Sequence, residues 1–306
     1  MQAPTKQSLI EIAGEDIKRK NEFIRLVRKL WKSKTGMIGF VIVMLVTIVG
    51  IFANQLAPFD PNSINPIMIN KPPFWMEGGT SEHILGTDNL GRDLLSRIIV
   101  GTQVSLIVGV CAIGIAGAIG LVLGLFAGYY GGLLDNFIMR GVDAVLAIPN
   151  ILFMLVVLGV FGPGLWTLVF VIGATKWVTY ARLVRGEVLS IKERDFVKAS
   201  RTLGTKDGGI IFKHILPNVI SSFIVVSTLS IATAILLEAS LSYLGMGIQP
   251  PMISWGGILE SGRDYLATSW WISTFPGIAI TVTVLGIIFL GDWLRDVLDP
   301  RLQMEG

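Results

Sequence analysis

Six apolar stretches, separated by polar ones, dominate the pattern of the chain. They cover residues 37–57, 104–127, 137–161, 165–181, 218–243 and 270–292. Because about 20 helical residues cross a bilayer core, each stretch predicts a transmembrane helix, of which 165–181 is the shortest. No short apolar run with a small-residue cleavage site follows the polar start, so the first stretch is expected to be a retained helix. The pattern predicts an all-α polytopic membrane protein with six transmembrane helices.

The polar segments divide the chain into parts. These are a basic N-terminal segment at 1–36, the first helix at 37–57, a loop at 58–102, a core at 103–293 that includes a long polar loop at 182–217, and a tail at 294–306. The nine Lys and Arg residues of the first segment are interleaved with apolar residues at roughly helical spacing. The segment is therefore either an amphipathic helix on the membrane face or a solvated tail that only sets topology.

The second predicted helix has a face of small residues. They recur at every fourth position, at Ala112, Ala116, Gly120, Gly124 and Gly128. Such a face lets another helix approach closely. Helix packing is the preferred interpretation, and a substrate-lining face is the alternative.

Ionisable residues inside the apolar stretches need protein or water around them, because exposure to lipid costs several kcal/mol. Arg140 and Asp143 lie one helical turn apart at the start of the third helix and are expected to form a buried structural pair. Lys176, near the predicted end of the fourth helix, is expected to extend to the membrane surface. Glu238, near the far end of the fifth, is interpreted as structurally hydrogen-bonded, with a substrate contact as the alternative.

The distribution of Lys and Arg predicts the orientation. The N-terminal segment holds nine of these residues, the polar loop eight and the tail two, whereas the two long loops on the opposite side hold four together. Because basic residues collect on the cytoplasmic side, both termini and the polar loop are expected in the cytoplasm.

Composition agrees with a membrane protein and excludes several other classes. Of the 306 residues, 52% are hydrophobic and 15% charged, with a mean hydropathy of +0.67, whereas soluble domains are about a quarter charged. The net charge of +3 gives no indication of nucleic-acid binding. Cys111 is alone, and His83 and His214 lack the spacing of metal ligands. No catalytic, cofactor-binding or metal site is therefore predicted.

The polar loop contains a predicted helical knob, residues 195–214. Phe196, Ala199 and Leu203 fall on one face of its first helix. Gly204 follows at a position where a helix ends in the left-handed conformation. The knob thus presents an apolar face beside a sharp turn.

The second half of the knob is predicted to be another short helix. Thr205 is expected to cap it, and Pro217 is expected to stop it before the fifth span. An apolar face with a basic rim fits a docking surface for a protein partner slightly better than a surface lying on lipid headgroups.

The knob carries a motif that resembles a known family. Lys198-Ala199-Ser200, Gly204 and Leu216-Pro217 have the spacing of the "EAA" loop of binding-protein-dependent ABC importer permeases, which reads E-A-A, three residues, G, nine residues, I-x-L-P. Lys198 takes the place of the glutamate, Ser200 of the second alanine, and His214 of the isoleucine.

Other segments are similar to the peptide and nickel branch of that family. They are LGTDNLGRD at 85–93, YARLVR at 180–185, EASLSYLG at 238–245, SWG at 254–256, GD at 291–292 and LDPR at 298–301. The resemblance covers roughly residues 31–301 and indicates the "C" type permease of dipeptide and oligopeptide importers.

The resemblance implies a type I ABC importer permease fold in a multi-pass protein of the bacterial cytoplasmic membrane. It implies a heterodimeric pore with a homologous B-type permease, two cytoplasmic ABC ATPase subunits that bind ATP and Mg, and an extracytoplasmic peptide-binding protein. The chain has no G-x-x-x-x-G-K-[ST] motif, which agrees with hydrolysis elsewhere. The implied ATPase-coupling residues are Phe196, Lys198, Ala199, Ser200, Leu203, Gly204, Thr205 and Pro217.

Several alternatives stay open at this point. One alternative is a permease of the same branch whose substrate is a nickel chelate or glutathione instead of a peptide. A secondary transporter would need inverted repeats and ion-binding charges at the midplane, and no repeat is evident. A membrane enzyme would need a nucleophile, metal or histidine-centred motif that the sequence lacks. Arg140, Asp143 and Glu238 are the candidate pathway or structural polar residues.

Overall fold

A computed structural model describes residues 28–298 of the protein. The predictions for most of the basic N-terminal segment and for the end of the tail lie outside the described residues. The longer helices are α1 (Lys34–Ile51), α3 (Leu94–Tyr130), α4 (Gly132–Leu146), α5 (Asn150–Phe161), α6 (Leu165–Ile191), α9 (Leu216–Tyr243) and α11 (Trp271–Leu298). The shorter ones are α2 (Ala53–Leu56), α7 (Asp195–Thr202), α8 (Asp207–Ile210) and α10 (Trp255–Gly262), with 3₁₀ turns at Pro66–Met68 and Arg263–Tyr265.

Five helical segments are long and apolar enough to cross a membrane, and α4 with α5 makes a sixth when counted as one span. The prediction of one continuous third helix at 137–161 is wrong, because α4 and α5 meet at 84°. The break falls at Pro149, which stands immediately before α5. Proline lacks the N–H that the helix ladder needs and disfavours helical geometry at the residue before it.

The small-residue face of α3 packs closely on α6. All five of its small residues are buried. A Cβ added at Gly124 would lie 2.7 Å from Cβ of Val184, and one at Gly128 would lie 2.7 Å from Cβ of Val188. The predicted packing role of this face is therefore confirmed, since the two backbones approach closer than any larger residue allows.

The end of α6 differs from the prediction. The helix continues past the predicted end at residue 181 to Ile191. Arg182 and Arg185, which were assigned to the polar loop, lie instead on the side of this helix and form ion pairs with α4. Lys176 is consequently far from the end of its helix. The prediction that Lys176 lies near the end of its helix is wrong.

Pro217 does not stop the helix before the fifth span, as predicted. Helical backbone runs without interruption from Asp207 to Tyr243. Residues Ile211–Ile215 adopt π-helical geometry, and the N–H of Leu216 donates to the carbonyl of Ile211. This one widened turn lies directly before Pro217, and such local changes of helix pitch accommodate a proline that has no N–H to donate.

The capping loop, residues 57–93, covers the start of α3. Asp88 is 1% exposed and accepts hydrogen bonds from the backbone N–H groups of Leu90 and Arg92. Its carboxylate also lies 2.7 Å from Nε of Arg92 and 3.4 Å from Nε of Arg97. One buried carboxylate thus holds two guanidinium groups.

The same loop joins the starts of α3 and α11. Asp93 caps α3 by accepting from the backbone N–H of Ser96 at 2.7 Å, and its other oxygen lies 2.9 Å from Nδ1 of His83. The indole N–H of Trp271 donates to the carbonyl of Thr87 at 3.1 Å. This end of the bundle is opposite the knob, which packs near the other end of α3.

Candidate functional site

The knob is two short helices joined at Gly204. Helix α7 ends at Thr202, and Gly204 has φ of 81°, the left-handed conformation predicted for it. No atom lies within 4 Å of a Cβ added there. The glycine is thus required by backbone conformation, not by lack of space.

The inner face of the knob packs on the ends of α3 and α6. Val197, Ile210 and Ile215 are buried in one cluster with Val184 and Val188 of α6. This cluster fixes the knob to the helices that continue into the bundle.

The outer face of the knob carries apolar side chains that the described residues 28–298 leave largely exposed. Phe196 is 43% exposed and Leu203 is 85% exposed, on the face that the sequence predicted, and Ala199 between them is also exposed. Phe212, on the π-helical turn, is 64% exposed. A cluster of large exposed apolar residues on one small element is typical of a protein-binding surface.

Ser200 joins the two halves of the knob. Its hydroxyl donates to Oγ1 of Thr205 at 3.0 Å and lies 3.2 Å from Nε2 of His214. Thr205 therefore does not cap α8 as predicted. Lys206 occupies the N-cap position, and its side chain makes no capping hydrogen bond.

A polar contact ties the knob to the end of α3. The hydroxyl of Tyr129 donates to Oδ1 of Asp207 at 2.6 Å, and Arg201 donates to the same hydroxyl at 3.4 Å. The Arg201 guanidinium also lies 5.7 Å from the centre of the Tyr129 ring. The hydrogen bond to Tyr129 raises the pKa of Arg201. This contact links α7 and α8 of the knob to the end of α3.

Lys198, which stands at the glutamate position of the motif, has a partner in its own chain. Its ammonium lies 3.1 Å from Oε2 of Glu193, and both side chains are more than half exposed. Hydrogen bonding to Lys198 lowers the pKa of Glu193. The rim of the knob therefore carries a solvent-exposed ion pair beside the apolar face.

The predicted buried pair between Arg140 and Asp143 does not form. Asp143 instead accepts from Arg182 of α6 at 2.8 Å, and this pair is exposed, as is Arg140. Arg185 makes a two-point contact with Asp135 at 2.5 and 2.7 Å. The sequence prediction paired Arg140 with Asp143 because they lie one turn apart on one helix. In the structure, the aspartates of α4 pair with arginines of α6.

The sequence and fold were compared with known proteins. A family model described as "Binding-protein-dependent transport system inner membrane component" matches residues 120–304, more than half of the chain. The chain belongs to this family. A second model, "N-terminal TM domain of oligopeptide transport permease C", matches residues 23–73. The protein is thus a transport subunit, not an enzyme, and the secondary-transporter and membrane-enzyme alternatives are excluded.

Relatives named as transport permeases are similar in sequence along most of this chain. The "Di/tripeptide transport system permease protein DppC" of Pseudomonas aeruginosa is 40% identical, with 90% of this chain and 93% of the relative covered. The "Oligopeptide transport system permease protein OppC" of Bacillus subtilis is 38% identical, with 90% of each covered. The "Glutathione transport system permease protein GsiD" of Pectobacterium atrosepticum is also 38% identical, again with 90% of each covered.

A solved structure supports the fold. The permease superimposes on a chain of the structure described as "Inward facing conformations of the MetNI methionine ABC transporter" with a TM-score of 0.55 and 21% sequence identity. The match covers 67% of this chain and 96% of that one. The chain therefore has the fold of an ABC importer permease, as the resemblance implied.

Glu238 of the permease is fully buried in α9. Ser242 donates to one of its oxygens at 2.7 Å, and Ser105 of α3 donates to the other at 3.5 Å. Ser105 and Ser242 are themselves buried. The structural hydrogen bond predicted for Glu238 is present, and the carboxylate is enclosed by serine hydroxyls rather than open to a pathway.

The sequence did not single out Tyr129 and Asp207 as partners. They stand 78 positions apart, and a pair of tyrosines at the end of an apolar run, Tyr129 and Tyr130, also fits an interfacial anchor. Within residues 28–298 no group of three or more side chains suited to hold a metal ion is present. The knob thus combines an exposed apolar face with a polar contact to α3.

Proposed function

We propose that this permease is one half of the membrane pore of an ATP-driven importer of short peptides, either dipeptides or oligopeptides. Its partners are a homologous B-type permease, two cytoplasmic ATPase subunits and an extracytoplasmic peptide-binding protein. The peptide substrate is supported by relatives named for di/tripeptide and oligopeptide transport, each covered along nearly its full length.

The observation that carries the coupling proposal is the exposed apolar face of the knob. Phe196 and Leu203 precede the left-handed turn at Gly204, while the inner face is packed on α3 and α6. The outer face is the docking surface for an ATPase subunit, and Lys198 and Glu193 form its polar rim. The ATPase subunits hold the ATP and Mg.

Closure of the ATPase pair on ATP moves the two knobs of the pore toward one another. In this chain the movement reaches the bundle by two routes, through the apolar cluster below Val197 and through the contact between Tyr129 and Asp207. Both routes end on α3 and α6, whose backbones are in close contact and therefore move as one body.

The orientation follows from charge. The knob and both termini are cytoplasmic in a bacterial cytoplasmic membrane, since nineteen Lys and Arg residues are assigned to that side and four to the other. The capping loop then lies outside, where the binding protein delivers substrate. Lipid surrounds the outer faces of the spans.

Glutathione is the second candidate substrate. The relative named for glutathione transport is as similar as the oligopeptide relative. Glutathione is itself a tripeptide with free carboxylates, so one pathway suits both substrates.

The test is uptake by the complete importer in liposomes, with its binding protein outside and ATP available to the ATPase subunits. We expect ATP-dependent accumulation of trialanine and little accumulation of glutathione. Accumulation of glutathione but not trialanine would reassign the substrate. Uptake that persists when ATP is replaced by a non-hydrolysable analogue would contradict the proposed coupling.

A further inference from the structure

The fold places one lysine within a candidate membrane span, far from either end of its helix. Lys176 is the twelfth residue of α6 (Leu165–Ile191), so at 1.5 Å per residue it stands about 16 Å from Leu165. A bilayer core is about 30 Å thick. Lys176 therefore lies near the middle of α6, a helix long and apolar enough to be a membrane span. An ionisable residue there is costly and marks a functional site by default.

Lys176 has no partner that would explain its position. Within residues 28–298 no hydrogen bond or ion pair involves its ammonium. Two other basic residues of α6, Arg182 and Arg185, do have partners, since each pairs with an aspartate of α4. The charge of Lys176 is thus available to a group from outside the chain.

The lysine lines a cavity of about 230 Å³ at the bend between α4 and α5. Asn150, Thr175 and Thr179 add amide and hydroxyl groups, and none of the lining residues is acidic. The other lining residues come from the bend on one side and from α6 on the other. Five of the lining residues are apolar, and the hydroxyl of Thr175 already donates to the carbonyl of Ile172 at 3.0 Å. The amide of Asn150 and the hydroxyl of Thr179 are therefore the donors that stand beside the positive charge.

The bend between α4 and α5 interrupts a candidate span and lines the same cavity as Lys176. α4 ends at Leu146 and α5 begins at Asn150, with an angle of 84° between them. Non-helical backbone at membrane depth is tolerated only where protein covers it or where it lines a water-filled cavity. In transporters, broken helices of this kind line the substrate pathway. The cavity and the break are found together here.

We propose that Lys176 binds the carboxylate of the substrate during its passage, with Asn150 and Thr179 as additional hydrogen-bond donors. This inference rests on the proposed function, because it deepens the account of the peptide substrate. A peptide or glutathione carries at least one free carboxylate. The cavity is smaller than the roughly 300 Å³ or more typical of sites for whole drug-sized ligands, so it matches one end of a peptide rather than all of it.

The experiment uses the complete importer in liposomes, with trialanine as the probe and ATP hydrolysis measured separately. In Lys176→Gln we expect trialanine uptake to fall about tenfold, because one charge-assisted hydrogen bond is lost. Hydrolysis stimulated by the loaded binding protein should stay within about twofold of wild type, since the knob is unchanged. Lys176→Arg should keep most of the uptake. Lys71→Gln, which removes a lysine in the capping loop, should transport normally.

A second measurement separates a substrate contact from a contact with another subunit. In Lys176→Cys, with Cys111→Ala to remove the native thiol, labelling of the introduced thiol by aminoethyl methanethiosulfonate should restore uptake, because it restores a positive charge. The uncharged methyl reagent should not. Trialanine supplied with its binding protein and ATP should slow the labelling.

Three results would overturn the assignment. They are unchanged uptake in Lys176→Gln, loss of assembly or of ATP hydrolysis together with uptake, and labelling that trialanine does not slow. The second would indicate that Lys176 pairs with the partner permease. Failure of the wild type to take up trialanine would instead refute the proposed function, so the two failures are distinguishable.

Discussion

The capping loop and the knob, at opposite ends of the bundle, differ in how deeply their paired charged side chains are buried. In the capping loop, the carboxylate of Asp88 is 1% exposed and holds two arginines of the same chain. In the knob, the pair between Lys198 and Glu193 has side chains that are 59% and 66% exposed. Both regions expose apolar residues, such as Ile67 in the loop and Leu203 in the knob. The difference therefore lies in the charged groups.

This difference separates structural from functional consequences. A buried carboxylate with two partners contributes to the free energy of folding, because removing one member of the group leaves a buried charge without its counter-charge. An exposed pair contributes little to stability. Substitutions of the buried charged groups in the capping loop should therefore reduce the amount of folded protein, whereas substitutions on the exposed face of the knob should leave the fold intact and change coupling.

The largest effect is expected for Asp88→Asn. The neutral amide leaves Arg92 and Arg97 without their shared counter-charge, which costs about 3–5 kcal/mol. We expect a much lower midpoint of thermal unfolding for the solubilised complex and little protein in the membrane. The matched control is Glu82→Gln, which removes an exposed carboxylate of the same loop. Equal midpoints for the two variants would refute the structural role of Asp88.

A loss of transport without loss of fold is expected for Gly204→Pro. Proline fixes φ near −65°, whereas Gly204 has φ of 81° and donates its N–H to the carbonyl of Arg201 at 3.0 Å. The outer face of the knob is then reoriented. We expect ATP-dependent uptake to fall to background while membrane insertion and the unfolding midpoint stay near wild type.

A pair of alanine variants sharpens this prediction. Gly204→Ala should cost about 1–2 kcal/mol locally, because a Cβ strains left-handed backbone. Gly208→Ala is the matched control, since Gly208 lies in α8 without a positive φ and also has open space at Cβ. Uptake should fall in the first variant only. Equal uptake in both would show that the turn at Gly204 is not required.

A smaller effect is expected for Tyr129→Phe. The change removes a hydrogen bond to a carboxylate, worth about 1.5–3 kcal/mol, and keeps the ring against Arg201. The knob should stay docked through its apolar cluster but pass on less movement. We expect less peptide transported per ATP hydrolysed, with hydrolysis itself retained. Tyr130→Phe, a neighbour that is 53% exposed, is the control, and the same ratio in both variants would contradict the coupling route.

Much of the fold follows from the sequence, because each span is one apolar run and apolar runs must be helical in lipid. The small-residue face of α3 even predicted the type of contact that α6 makes. The bend at Pro149 and the passage of the helix through Pro217 were both assigned wrongly. A proline ends, kinks or widens a helix depending on its tertiary contacts, which a sequence does not show.

The candidate site was predictable where it is local and not where it is tertiary. Gly204 and the face of Phe196 and Leu203 follow from turn chemistry and helical spacing. The partners of Asp143 and Asp207 do not, because they come from other helices, at separations of 39 and 78 positions. Ionisable residues near span ends were recognised as requiring partners, but spacing offered only the nearest one on the same helix.

The smallest effect is expected for Lys198→Gln, which tests whether the exposed pair on the knob is only electrostatic. Hydrogen bonding to Lys198 holds the pKa of Glu193 below its ordinary value. A carboxyl whose folded-state pKa is lowered contributes stability above its unfolded pKa and loses that contribution as the pH falls through the folded-state pKa. The pair is thus intact at neutral pH and is lost only in acid, as the pH falls through the lowered pKa of Glu193.

In Lys198→Gln the pKa of Glu193 should rise toward its ordinary value, which carbon NMR of labelled glutamate in nanodiscs measures. The unfolding midpoint at neutral pH should not change, because water and salt screen an exposed pair and leave it little effect on stability. If the ATPase recognises the charge of Lys198 directly, the affinity of the ATPase for the permease will fall although stability does not. A lower unfolding midpoint would instead place the knob with the capping loop, as a region whose charges hold the fold together.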